Sequence, residues 1–151
     1  MTEIFSIVNQ KGGVGKTTTC INLSAALAKA RRRVLLIDLD PQSNATKGCG
    51  TEVGDERSTV NDLLLNRRSF ADTVLHLDTF NFDILPSTPQ LTEAEVFLLS
   101  TNDKEFTLRK VISDVAPKYD YLIIDCPPSL NILTVNALTA SSGIILSLIH
   151  I

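Results

Sequence analysis

Lys11-Gly12-Gly13-Val14-Gly15-Lys16-Thr17-Thr18 stands between a short apolar run and an amphipathic one. Glycines at 12, 13 and 15 let the backbone bend so that successive N–H groups converge on an anion. A helix starting near Lys16 adds the positive end of its dipole. Lys16 supplies a mobile cation for β- and γ-phosphates, and the Thr17 hydroxyl is a hard oxygen ligand for Mg²⁺. The run departs from the strict GxxxxGK[ST] spacing, because Gln10 fills the first glycine position and Lys11 directly precedes the glycine pair. A glycine-rich turn with an exposed lysine is the bland alternative. Agreement between the flanking elements and the Lys-Thr pair sets it aside, and residues 11–18 form the candidate phosphate-binding loop.

Two further apolar runs end in carboxylates. Val34–Ile37 leads into Asp38-Leu39-Asp40-Pro41, and Tyr121–Ile124 into Asp125-Cys126-Pro127-Pro128. Ligands of open α/β sheets gather at the carboxyl ends of strands. Four apolar residues followed by Asp125 make a Walker B arrangement, in which the carboxylate holds Mg²⁺ directly or through water. Asp40 is the candidate group for orienting an attacking water and accepting its proton, against a purely structural role. Asp38 is either a further partner for the metal or a helix cap. The candidate metal-binding residues are thus Thr17, Asp125 and Asp38.

The elements that must position these groups follow from patterning. Thr2–Val8, Val34–Ile37, Val74–Leu77, Phe82–Leu85, Tyr121–Ile124 and Gly143–Ile149 read as strands. Lys16–Ala30 reads as a helix with Cys20, Leu23, Leu27 and Ala30 on one stripe, closed by Arg31-Arg32-Arg33 as solvated charge at its C-terminus. Gln42–Gly50 is polar with one helical turn. Thr59–Asn66 (capped by Ser58 or Thr59), Thr88–Leu99, Asp103–Ala116 and Leu130–Thr139 read as helices, the third of these stopped by Pro117. The first strand, helix and strand form a βαβ unit with parallel strands. Their alternation predicts an α/β fold: a doubly wound, mostly parallel sheet carrying a P-loop.

Composition supports one globular unit. The chain has 151 residues, 44% hydrophobic and 21% charged, with a formal net charge of −3. That charge gives no global pull toward nucleic acid. No apolar run reaches the roughly 18 residues of a membrane span, and the first residues lack the basic start of a signal peptide, so a cytoplasmic protein without membrane contact is expected. Three scattered cysteines and two histidines exclude a disulfide framework or closed zinc site. Cys20 reads as core packing.

With these residues in view, the chain resembles the deviant Walker A ATPases of the ParA/Soj partition branch. The resemblance runs through Asn9–Thr19, Asn22-Leu23, Leu36–Thr46, Leu85-Pro86-Ser87 and Tyr119–Leu130. It implies ATP and Mg²⁺ as cofactors. It makes Lys11 the lysine that reaches across an ATP-sandwich homodimer, with Gly12 at that contact. Lys16 would bind phosphate, Thr17 and Asp125 would serve the metal, and Asp40 would be the hydrolytic aspartate. Pro127-Pro128-Ser129 would open a switch segment that senses the γ-phosphate, with Cys126 a small buried neighbour. It further implies chromosome or plasmid segregation with a ParB-type centromere-binding partner, and nucleoid association. A non-catalytic nucleotide-binding regulator and a MinD-like positioning ATPase are the alternatives.

Family members continue through later strands, an adenine pocket and C-terminal basic residues that contact DNA nonspecifically. Residues 1–145 are therefore expected to be the N-terminal portion, C-terminally truncated, of one P-loop ATPase domain. Leu146-Ser147-Leu148-Ile149-His150-Ile151 matches the peptide encoded by a transposon-end sequencing adapter, so 146–151 are expected to be a non-native tail. An uncovered central strand predicts exposed apolar surface and a marginal isolated chain.

Overall fold

The computed structural model describes residues 1–9 and 14–146, Val14 by its backbone alone. Six strands form one sheet: β1 (Glu3–Val8), β2 (Val34–Asp38), β3 (Leu75–Leu77), β4 (Phe82–Leu85), β5 (Tyr121–Asp125) and β6 (Gly143–Leu146), in the order β3-β4-β2-β5-β1-β6. All adjacent pairs are parallel except β3 with β4. The expected parallel relation of β1 and β2 holds, but β5 lies between them. Its register sets Asp125 beside both Ile7 and Asp38.

Strand alternation sorts the core into two layers. Val34 and Leu36 face one side with Ile123, Ile84 and Ile7. Leu35 and Ile37 face the other with Leu122, Ile124 and Leu85. The first layer is covered by α1 (Val14–Lys29) and α2 (Asn44–Gly48), the second by α3 (Val60–Leu64), α5 (Leu91–Leu99), α6 (Thr107–Ile112) and α7 (Ile132–Ala140); the short α4 (Phe70–Thr73) precedes β3. The buried stripe of α1 is Lys16, Cys20, Ser24 and Ala28, all four apart. Small residues at three of these positions let the helix lie close to the sheet, with Ser24 Oγ donating to the Cys20 carbonyl at 2.8 Å. Leu23 and Leu27 flank that stripe, while Ala30 lies exposed beyond the helix end.

Three expected helices change their bounds for identifiable reasons. Asn61 Oδ1 accepts the Ala94 N–H at 3.0 Å, which fixes the first turn of α5 and starts it at Leu91 rather than Thr88. The Asn131 side chain accepts from the Leu133 and Thr134 N–H groups, so α7 starts at Ile132. The continuous helix expected over 103–116 is broken. Asp103 is left-handed (φ 56°), 104–106 form a 3₁₀ turn, α6 ends at Ile112, and Pro117 sits inside a second 3₁₀ turn. The buried Asn136 explains the break. Its side chain accepts from Leu108 N–H at 3.0 Å and donates to the Lys104 carbonyl at 2.9 Å, replacing bonds a longer helix would supply. Thr59 is the N-cap of α3, its N–H donating to Asp62 Oδ2 at 2.9 Å.

β6 pairs only with β1 among the described residues, and Ile144 and Leu146 are 55% and 66% exposed. Among the described residues, β6 thus ends the sheet with exposed apolar side chains. The part of the anticipated last strand and tail at 147–151 lies outside the described residues. A Cβ on Gly143 would stand 2.7 Å from Phe5 Cε1, and Phe5 already stacks on Tyr121 with ring centroids 6.4 Å apart. Gly143→Ala should therefore cost about 1–3 kcal/mol, read as a lower urea midpoint with an unchanged m-value.

Candidate functional site

Three parallel strands deliver their carboxyl ends to one place. β1 exits toward the glycine-rich loop, β2 ends at Asp38 and β5 at Asp125. α1 rises from the loop with Lys16 and Thr17 in its first turn. Lys16 is 3% exposed and its ammonium contacts Asp125 Oδ1 directly, with Asp40 Oδ2 at 3.8 Å. Thr17 Oγ1 donates to the other Asp125 oxygen at 3.2 Å. Burial alone would discharge Lys16, but the Asp125 carboxylate, helped by Asp40, outweighs it and holds the ammonium protonated above the ordinary lysine range.

Asp38 has a different occupation. Its Oδ1 accepts the Asp40 N–H at 3.2 Å, and its Oδ2 accepts both the N–H (2.9 Å) and hydroxyl (2.6 Å) of Thr46. It thus caps α2 from outside that helix. Burial, and then the neighbouring Asp125 charge, push Asp38 up to about 7. Thr46 Oγ1 in turn accepts the Ser87 N–H at 2.9 Å, and Ser87 Oγ donates to the Asp40 carbonyl at 2.9 Å. Asp38, Thr46, Ser87 and Asp40 thereby close a buried ring of hydrogen bonds, all at 3% exposure or less. Asp40 Oδ1 accepts the Gln42 N–H at 3.0 Å, leaving Oδ2 toward Lys16.

The structure therefore brings Lys16, Thr17, Asp40 and Asp125 together and places Asp38 behind them as a brace. Gly15 and Thr18 belong to the first turns of α1. Lys11, Gly12 and Gly13 lie outside the described residues, as does the Val14 side chain. Among the described residues no three His, Cys, Asp or Glu side chains form a metal cage. One hydroxyl converging with one carboxylate is a donor set suited to Mg²⁺, which keeps waters and completes its shell from phosphate oxygens.

A family model described as an AAA domain matches residues 2–150. The chain belongs to that family. Among its relatives are the sporulation initiation inhibitor protein Soj of Bacillus subtilis, 48% identical over 146 residues (97% of this chain, 58% of Soj), and the chromosome partitioning protein ParA of Myxococcus xanthus, 48% identical over 146 residues (97% of this chain, 52% of ParA). A Mycobacterium smegmatis structure described as cobyrinic acid a,c-diamide synthase with bound ATP analogue and magnesium superposes with a TM-score of 0.93 at 38% identity, covering 98% of this chain and 60% of that one. This ParA/Soj-type chain spans little more than half the length of the curated relatives it matches.

Sequence reasoning missed Thr46 and Ser87 as parts of the site of this ParA/Soj-type chain. Both lie in stretches noticed for other reasons, but a ring closed between residues 38 and 87 is a product of strand order. The three cysteines are buried and unpaired by disulfides. Burial pushes Cys126 and Cys49 to about 12, and Cys20 higher still, so each stays a neutral thiol and a packing residue. Thr46→Val should strip the hydroxyl donor from Asp38, keep the main-chain one, and orphan the Ser87 N–H. A loss of about 3 kcal/mol in urea unfolding is expected, with Thr46→Ser close to wild type.

Proposed function

We propose that this chain binds ATP with Mg²⁺ across the carboxyl ends of β1, β2 and β5 and, within its ParA/Soj-type domain, hydrolyses it. One observation carries the reading: Lys16, Asp40 and Asp125 converge, buried, at the start of α1, with the half-buried Thr17 beside them. The ATP analogue and magnesium of the Mycobacterium smegmatis structure support the choice of ligands.

Lys16 exchanges its carboxylate contact for phosphate oxygens, its charge retained throughout. Thr17 and Asp125 hold the metal, with Asp38 fixing the segment behind them. Bound Mg²⁺ supplies charge neutralisation at the β- and γ-phosphates. Asp40, its backbone locked by Asp38 and Ser87, orients the attacking water and takes its proton through Oδ2, the oxygen that faces Lys16. Gly12, Gly13, Val14, Gly15 and Thr18 line the loop. Lys11 provides a second cation from a partner copy in an ATP-sandwich homodimer, which ties association to hydrolysis as an arginine finger does. The biological role is DNA segregation on chromosome or plasmid, stimulated by a ParB-type partner, at the nucleoid and without membrane contact. No described helix is long and apolar enough to cross a membrane.

Two substitutions separate the parts. Lys16→Ala should weaken binding of a fluorescent ATP analogue at least a hundredfold. Asp40→Ala should leave that binding within about threefold while phosphate release falls at least a hundredfold. Binding without any hydrolysis by the wild type would assign the chain to non-catalytic nucleotide binding instead.

A further inference from the structure

The opposite end of the sheet carries a second hollow, rimmed by charged side chains, that the nucleotide site does not use. A groove of about 590 Å³ opens where the end of α1, the start of β2, the β3–β4 hairpin and the turn before β5 meet. Arg31, Arg32, Arg33 and Lys118 line it, in a protein whose net charge is −3.

Part of that charge is spoken for. Arg33 pairs with Asp120 at 3.1 Å and holds its carboxyl below the usual carboxylate range, with Arg32 adding a weaker pull. Inside the groove, Asp83 accepts from the Tyr119 hydroxyl at 2.6 Å and is bonded to His76 Nδ1 at 2.7 Å, so both its oxygens are engaged. These paired groups form the frame. Among the described residues, Arg31, Arg32 and Lys118 have no carboxylate within ion-pair distance, and all three are exposed.

Arg31 adds an independent observation. The Arg31 N–H bonds the Ala28 carbonyl at 2.9 Å and the Arg32 N–H bonds the Leu27 carbonyl at 3.0 Å, a Schellman ending of α1. Arg31 occupies its left-handed position at φ 64°, where glycine is the unstrained residue. The helix dipole favours a cation in this turn but does not require one at that strained position, nor Lys118 from a different element beside it.

We infer that this groove binds a small molecule carrying two or more phosphate groups. Arg31, Arg32 and Lys118 outnumber the one carboxylate of the groove, Asp83, and leave a net positive charge that a diphosphate answers with charge concentrated on few atoms. A concavity of this size suits a ligand of metabolite dimensions. Phe82 and Val34, each 2% exposed, form the buried floor, and the His76 ring at the rim is half exposed.

The test is a titration of inorganic pyrophosphate into the ¹⁵N-labelled chain, followed amide by amide so that this groove and residues 15–18 report separately. Saturable shifts are expected at Arg31, Arg32 and Lys118. Arg32→Ala combined with Lys118→Ala should weaken them at least tenfold while the response of 15–18 is kept. Arg31→Gly should also weaken them, yet keep or raise the thermal midpoint, which separates lost binding from lost folding. Stationary groove amides would overturn the inference. So would equal affinity for citrate, and tighter binding of a single-stranded oligonucleotide would assign the groove to nucleic acid instead.

Discussion

The contact between the Lys16 ammonium and the Asp125 carboxylate, closed off from solvent at the head of the sheet, is the constraint around which the rest is arranged. Neither charge is tolerable there alone. Removing one partner of a buried pair typically costs about 3–5 kcal/mol, because the other is left stranded. The pair therefore demands that β5 lie beside β1, that α1 start close to the sheet, and that only small side chains follow Lys16 along the buried stripe. Cys20, Ser24 and Ala28 meet that last demand. The same pair makes the site responsive, since a second cation arriving at Asp125 and an anion arriving at Lys16 each weaken the hold of one partner on the other.

Asp38 shows how two carboxylates one strand apart take different work. It sits beside Asp125 in register, but its oxygens are filled by Thr46 and Asp40 backbone or hydroxyl donors. With its charge opposed by burial, it acts as a hydrogen-bonding brace, while Asp125 keeps company with a cation. The ring through Thr46 and Ser87 then ties the ends of β2 and β4 together, so that Asp40 is held from both sides of its backbone. The two ends of the sheet thus carry opposite arrangements: carboxylates around one buried ammonium at the carboxyl ends, exposed guanidinium groups at the amino ends.

Much of this was legible from residue order. Four of the strands are short β-branched or leucine-rich runs closed by Asp, Asn or Pro, and burial on both faces leaves such runs nearly continuous. Lys16, Asp40 and Asp125 were recognisable because strand ends are where an α/β sheet collects its ligands. What residue order did not disclose depends on partners distant in the chain. The insertion of β5 between β1 and β2 and the antiparallel turn of β3 are settled by packing. The break at Asp103 is settled by Asn136, more than thirty residues away, and the late start of α5 by Asn61. Arg31–Arg33 read as helix-end solvation because neither Lys118 nor the left-handed backbone at Arg31 is visible in one dimension.

The most direct measurement is side-chain NMR of a ¹⁵N-lysine-labelled chain, with Lys16→Arg to assign the signal. Without nucleotide, one ammonium should exchange its protons with water far more slowly than the others, as a buried ion-paired group must. Adding Mg²⁺ with a non-hydrolysable ATP analogue should shift that resonance while it stays protonated. If every lysine exchanges rapidly, or if the slow signal is unmoved at saturating nucleotide, the Lys16–Asp125 contact is not the element that ATP engages, and the account fails.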